Sequence, residues 1–210
     1  MKRAMTVILP ALTAVLWACG GGASHSMRFY TLSLPAEPAA SAAPYPVTLL
    51  VGHIQAPPML RNDLVLYRVG ANEVDTYPYE RWAAPPAEMV EVRLLRLLRE
   101  SGRYQFVSDL GSSARGDYIV RGRLDGFEEV DTATGVEGRV VLELDLFDET
   151  GDHTVWSQLY SHDEPTKGHE VADVVAALDR NLQEGLEALT TGMNDYLARN
   201  VKAKQTAVKE

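Results

Sequence analysis

The chain has 210 residues, of which 46% are hydrophobic, and its formal net charge at pH 7 is −9. The single cysteine excludes a disulfide within the chain. The acidic balance argues against a nucleic-acid partner, because nucleic-acid-binding domains are usually basic, and equally against adhesion to anionic lipid by charge.

Residues 1–18 have the layout of an export signal, with Lys2 and Arg3 ahead of an apolar run. That run is too short to span a bilayer, which takes about 20 apolar residues, and no later stretch is apolar enough to do so. The letters "LWAC" at 16–19 resemble the lipobox of bacterial lipoproteins, with Trp17 as a departure from the pattern. An ordinary secretory signal followed by a stray cysteine is the alternative. Cleavage before Cys19 would leave 192 residues and, without the two positive charges of the signal, change the net charge from −9 to −11.

Cys19 is the predicted lipidation site. In lipoproteins the thiol carries diacylglycerol and the new amino group is acylated, and several acyl chains together give lasting anchorage. Residues 19–27 then form a flexible tether, in which the seven residues 20–26 reach at most about 25 Å. Gly20, in place of aspartate after the cysteine, favours the outer membrane by resemblance to the usual sorting rule.

Alternating and helical patterns predict one domain over 28–199. Its first half contains predicted strands at 28–34, 47–54, 64–69 and 73–78. A helix follows from Pro85 and Pro86 to Gly102, with Val90, Leu94, Leu97 and Leu98 on one stripe.

The second half predicts an antiparallel meander and a long terminal helix. The predicted strands are 104–107, 117–130, 139–148 and 153–161, and the helix covers 170–198 with a polar tail over 200–210. Two amphipathic helices must cover apolar sheet surface. We therefore expect a single α/β (α+β) domain with a mixed sheet.

No catalytic motif that we can name is present, so we expect no enzyme and no cofactor. Glu143 and Asp145 lie two apart on one strand face, an arrangement that resembles the carboxylate pair of a glycosidase. The favoured interpretation is a solvated sheet face in which Arg121 and Arg123 are cross-strand partners. A hydrolase that uses both carboxylates remains one hypothesis of function.

Two further clusters need an interpretation. His162, Asp163, Glu164, His169 and Glu170 lie within ten residues, but their spacing matches no metal motif, so no metal is expected. Tyr77, Tyr79 and Trp82 lie among prolines and form an aromatic patch that either covers the core or binds a partner.

Several motifs of the mature chain resemble one family. They are "YTL" at 30–32, "PPMLR" at 57–61, "LVLYR" at 64–68 and "RWAAPP" at 81–86. Together with the lipobox, the meander and the last helix, they resemble the PqiC-like ABC-type transport auxiliary lipoproteins. The segment 52–98 carries most of this resemblance.

The resemblance implies a three-layer α/β domain, anchored by lipid on the periplasmic face of the outer membrane. It implies a partnership with an MCE-domain protein of a lipid transport system that maintains outer-membrane integrity, and possible assembly of identical copies into a ring. The chain would be a docking subunit and not the ATPase. From the aromatic patch itself, we expect Tyr77, Tyr79, Arg81 and Trp82 to form an exposed partner-binding surface. An outer-membrane assembly factor or pilotin-like lipoprotein is the alternative.

Overall fold

The computed structural model describes residues 26–34 and 44–207, with side chains through residue 200. An eight-stranded mixed sheet and two helices make up these residues, as predicted. The strands are β1 Arg28–Tyr30, β2 Tyr45–Gln55, β3 Leu64–Arg68, β4 Val74–Trp82, β5 Tyr104–Asp109, β6 Tyr118–Thr132, β7 Gly135–Asp148 and β8 His153–Pro165. The helices are α1 Pro86–Glu100 and α2 Val171–Ala207, and a short 3-10 turn covers Pro58–Arg61.

The long strand β6 organises the sheet. On one edge it pairs antiparallel with β7, which in turn pairs with β8. On the other edge, β2 pairs in parallel with the N-terminal part of β6, and β3 pairs in parallel near its C-terminal end. Next to β2 lies β5, whereas β4 and then β1 follow β3. The sheet therefore has two branches on one side of β6, and its outer strands are β1, β5 and β8.

The predicted meander of β6, β7 and β8 is confirmed. The inward residues of β7 are fully buried, namely Val140, Leu142, Leu144 and Leu146. The strands β6 and β7 pair up to Thr132 and Gly135, because Gly135 adopts a positive φ of 153° that closes a tight turn. Both strands therefore extend further into the connecting segment than the sequence pattern predicts.

Both helices lie on the same face of the sheet. The Arg93 guanidinium of α1 donates to Gln183 Oε1 of α2 over 2.7 Å, so the helices are neighbours. One continuous core lies beneath them, and its helical members include Val90, Leu94, Leu98, Val174, Leu178, Leu182, Leu186 and Leu189. The described residues form a helical layer on a sheet layer, and the third layer that the resemblance implies does not appear among them.

Two elements differ in length from their predictions in ways that matter for the site. Strand β4 continues to Trp82 instead of ending at 78, because Arg81 pairs with Phe29 of β1 and with Leu64 of β3. Helix α2 continues to Ala207 instead of ending at 198, since residues 199–207 contain neither glycine nor proline to stop it.

Candidate functional site

The predicted lipidation site, Cys19, lies outside the described residues, as do the signal and most of the tether. The described chain starts at Ser26 and enters β1 two residues later. Within the described part, neither helix combines the length and the apolar character that a membrane span requires.

All four predicted partner-binding residues lie on β4, but they differ in how far their side chains are exposed to solvent. Trp82 is only 1% exposed, and its ring packs against Phe127 with 5.4 Å between centroids. The prediction that Trp82 is exposed is therefore wrong. Because β4 pairs with strands on both sides, its C-terminal end passes over the core and directs the indole inward.

Tyr77 is half-buried and takes part in an internal hydrogen bond. Its hydroxyl donates to Glu129 Oε2 over 2.8 Å, and its ring packs against Tyr67 with 4.8 Å between centroids. Burial, followed by the bond to Glu129, raises the pKa of the Tyr77 hydroxyl, and burial also raises the pKa of the Glu129 carboxyl. Tyr77 thus stabilises the end of the sheet more than it offers a contact surface.

The exposed remainder of the aromatic cluster is a smaller surface. Tyr79 is 43% exposed, whereas the Arg81 guanidinium is held on its own strand by donating to the Tyr77 and Glu80 carbonyls at 2.6 and 2.8 Å. Phe29 of β1 is paired beside Arg81 and is 64% exposed. We call Phe29, Tyr79 and Arg81 the β1–β4 patch.

Phe29 was missed as a site residue, although its signal was present in the sequence. Residues 28–34 alternate, with Phe29 on the side opposite Tyr30 and Leu32. In the structure Leu32 is buried and Tyr30 packs against the core, so the same alternation places Phe29 outward.

The sheet face opposite the two helices contains a groove of about 410 Å³ that includes the Glu143 and Asp145 pair. Arg123 Nη2 donates to Glu143 Oε2 over 2.6 Å, and the Ser157 hydroxyl donates to Glu143 Oε1 over 3.1 Å. Asp145 pairs in register with Arg121, whose guanidinium carbon lies 3.6 Å from the centroid of the Phe147 ring. The cross-strand interpretation is confirmed for Arg123, which forms an ion pair with Glu143, whereas Arg121 lies opposite Asp145 in register and packs on the Phe147 ring.

The acidic and histidine cluster near the start of α2 is divided by the alternation of β8. Asp163 accepts two bonds from Arg139, at 2.7 and 2.6 Å, and these bonds lower the pKa of its carboxyl. Its neighbour Glu164 instead pairs with Arg180 of α2 at 3.2 Å. Across the ranges 26–34 and 44–207, no three metal-ligating side chains lie close enough to hold an ion.

A second concave site was not predicted. An apolar cleft of about 530 Å³ lies between the segment 31–34 and α1. Leu34 and Val92 at this cleft are 52% and 59% exposed, and Met89 lines it beside them. Val92 is apolar although it lies outside the buried stripe of α1. An apolar residue at such a position was the sequence signal for this cleft.

Comparisons with known proteins give the fold a context. The family model for ABC-type transport auxiliary lipoprotein components matches residues 30–205. A crystal structure of a DUF330-family protein from Xanthomonas campestris matches with a TM-score of 0.70 at 22% identity, over 80% of this chain and 97% of that one.

Two further crystal structures share the fold at lower identity. One, of an uncharacterized protein, has a TM-score of 0.60 at 14% identity and covers 79% of this chain and 98% of its own. The other, a putative neuraminyllactose-binding hemagglutinin homolog from Helicobacter pylori, has a TM-score of 0.51 at 9% identity, over 84% and 100%. No curated protein matches the chain significantly.

Proposed function

We propose that this chain, which belongs to the family of ABC-type transport auxiliary lipoprotein components, is a non-catalytic docking subunit of a lipid transport system. It is anchored through Cys19 on the periplasmic face of the outer membrane. Its partner is an MCE-domain protein that conducts lipid between the two membranes, and the system maintains outer-membrane integrity.

One observation carries this proposal: a family match over 30–205 is preceded in the same chain by the lipobox-like "LWAC" at 16–19. Acylation of Cys19 would hold the body at the bilayer surface, since several acyl chains anchor far more strongly than one. With only residues 20–26 between the cysteine and Met27, the body stays within about 25 Å of that surface.

The β1–β4 patch is the proposed partner contact. Tyr79 and Arg81 are of the residue types that dominate binding energy at protein interfaces, and phenylalanine is also enriched there. It also lies at the start of the domain, so the tether holds it near the membrane. Assembly of identical copies into a ring, which the resemblance implies, would present several equivalent patches to a tubular partner.

Co-purification tests this function directly. We expect the full-length tagged chain, extracted from membranes, to retain the MCE-domain protein encoded beside it. Tyr79→Ala should lower the amount retained about tenfold, whereas Phe106→Ala should leave it unchanged. Phe106 is a matched control, because it is 51% exposed on β5, an outer strand on the other branch.

Two results would count against the proposal. If the unaltered chain retains no MCE-domain protein, the docking function is contradicted. If it retains a secretin or a barrel-assembly component instead, the alternative of an outer-membrane assembly or pilotin-like lipoprotein is favoured.

A further inference from the structure

We propose that the cleft between residues 31–34 and α1 binds an acyl chain of a membrane phospholipid, so that this subunit contacts lipid directly. This inference rests on the proposed function, because it assumes that Cys19 places the domain beside a bilayer. It adds a binding site and the chemical class of its ligand.

The lining of the cleft fits an acyl chain. Its walls include Leu32, Leu34, Met89 and Val92, and its volume of about 530 Å³ lies within the range of small-molecule sites. The apolar side chains at the cleft remain in contact with water, with Leu34 52% and Val92 59% exposed. Met89 is unbranched and flexible, which suits a ligand of variable shape.

The position of the cleft selects a membrane lipid as the occupant. Its first wall residue, Thr31, follows Cys19 by only twelve residues, which span at most about 40 Å when extended. A bilayer at Cys19 is therefore a source of apolar ligand within reach of the cleft. Because the protein is acidic, charge does not attract an anionic headgroup, so recognition depends on the acyl chain.

Hydrogen bonds to Asp179 of α2 fix the position of the cleft walls. The Ser33 backbone N–H donates to Asp179 Oδ1 over 3.1 Å, and the same carboxylate accepts a bond from Arg93, which is 3% exposed and lines the cleft. The wall segment is thus tied to both helices. Among the described residues, Arg93 Nε is a buried donor without an acceptor.

Photo-crosslinking in the full-length chain tests the inference. We place a benzophenone amino acid at Val92, irradiate native envelopes and identify the adducts by mass spectrometry. The matched control is the same label at Leu159, which is 57% exposed but pairs with Glu143 on the sheet face opposite the helices. We expect phospholipid adducts at least tenfold more abundant at Val92.

A second variant tests whether the lipid adduct at Val92 depends on the cleft. Leu34→Asp replaces an exposed side chain, so the fold is retained and the thermal melting curve should not change. It places a charge in the cleft, and we expect it to lower the lipid adduct at Val92 at least tenfold.

Three results would overturn the inference: equal lipid adducts at both labels, adducts to residues 35–43 of the same chain, or adducts only to another protein. Co-purification with the MCE-domain protein, measured on the same samples, separates the two proposals. If the partner is retained without lipid adducts, only the acyl-chain site fails. If neither is found, the proposed function fails as well.

Discussion

At the scale of single residues, Glu129 is a buried carboxylate whose pKa is raised by folding. It is 5% exposed and accepts one bond from the Tyr77 hydroxyl. Burial raises the pKa of its carboxyl above the ordinary 4.5. The folded state therefore holds this proton more tightly than the unfolded state, so the contribution of Glu129 to stability is greatest at low pH. That contribution is lost as the pH rises through the folded pKa.

We therefore predict that Glu129→Gln stabilises the protein near neutral pH. Glutamine can still accept the bond from Tyr77 but carries no charge to desolvate, so the free energy of unfolding should rise by on the order of 1 kcal/mol at pH 7. The gain should shrink at about pH 4. Urea denaturation at both pH values measures it, and Glu149→Gln at an exposed turn controls for the loss of one negative charge.

A gain that is equal at both pH values, or one that Glu149→Gln reproduces, would show that burial of Glu129 is not its cause.

Residue identity alone predicted the chemistry of β4 but not its exposure. The sequence placed Tyr77, Tyr79, Arg81 and Trp82 together, and all four do lie on one strand. Which of them face solvent depends on the irregular pairing of β4 with β3 between Leu64 and Leu66. That long-range contact leaves no local pattern, so a buried Trp82 could not be distinguished from an exposed one.

At the scale of elements, the contact between α2 and the meander depends on two small features. Asn181 is fully buried, and its Nδ2 donates to the Gly138 and His162 carbonyls at 2.8 Å each, while its Oδ1 accepts from Tyr160. Gly138 lets the helix approach, because a Cβ there would lie 3.0 Å from the Leu178 backbone nitrogen. Together they fix where α2 lies on β7 and β8.

We predict that Asn181→Leu lowers the free energy of unfolding by about 2–4 kcal/mol. The substitution removes three hydrogen bonds, of which the bond to the Gly138 carbonyl is buried and the bonds to His162 and Tyr160 are half-buried. Asn200→Leu is the matched control on the same helix, because among the described residues Asn200 bonds only to the Tyr196 carbonyl within the helix, and it should change stability by less than about 0.5 kcal/mol. Chemical denaturation of both variants provides the measurement, and similar losses in the two would contradict this role.

The helices and strands were largely predictable from the sequence, whereas the pairing of the strands in the sheet was not. The strict alternation of β7 and the 3–4 spacing of α2 identify one buried face each, and both faces are buried in the structure. The parallel pairing of β2 and β3 with the same edge of β6 joins residues far apart in the chain, such as Leu49 with Tyr118. No turn signal marks such a pairing, so the two branches of the sheet emerge only in three dimensions.

At the scale of the whole molecule, the N-terminal segment connects the anchor with both proposed contact surfaces. After the tether, β1 contributes Phe29 to the β1–β4 patch. Residues 31–34, which follow β1, form a wall of the cleft. Both surfaces therefore lie within a short length of chain from Cys19. Both proposed contacts require that Cys19 holds the domain at a bilayer.

Intact-mass and peptide mass spectrometry of the full-length gene product, purified from native membranes, tests this dependence most directly. We predict a mature chain that begins at Cys19, with diacylglycerol on the thiol and an acyl group on the amino terminus. A chain that begins at another residue, or a Cys19 whose sulfur is unmodified, would contradict the account.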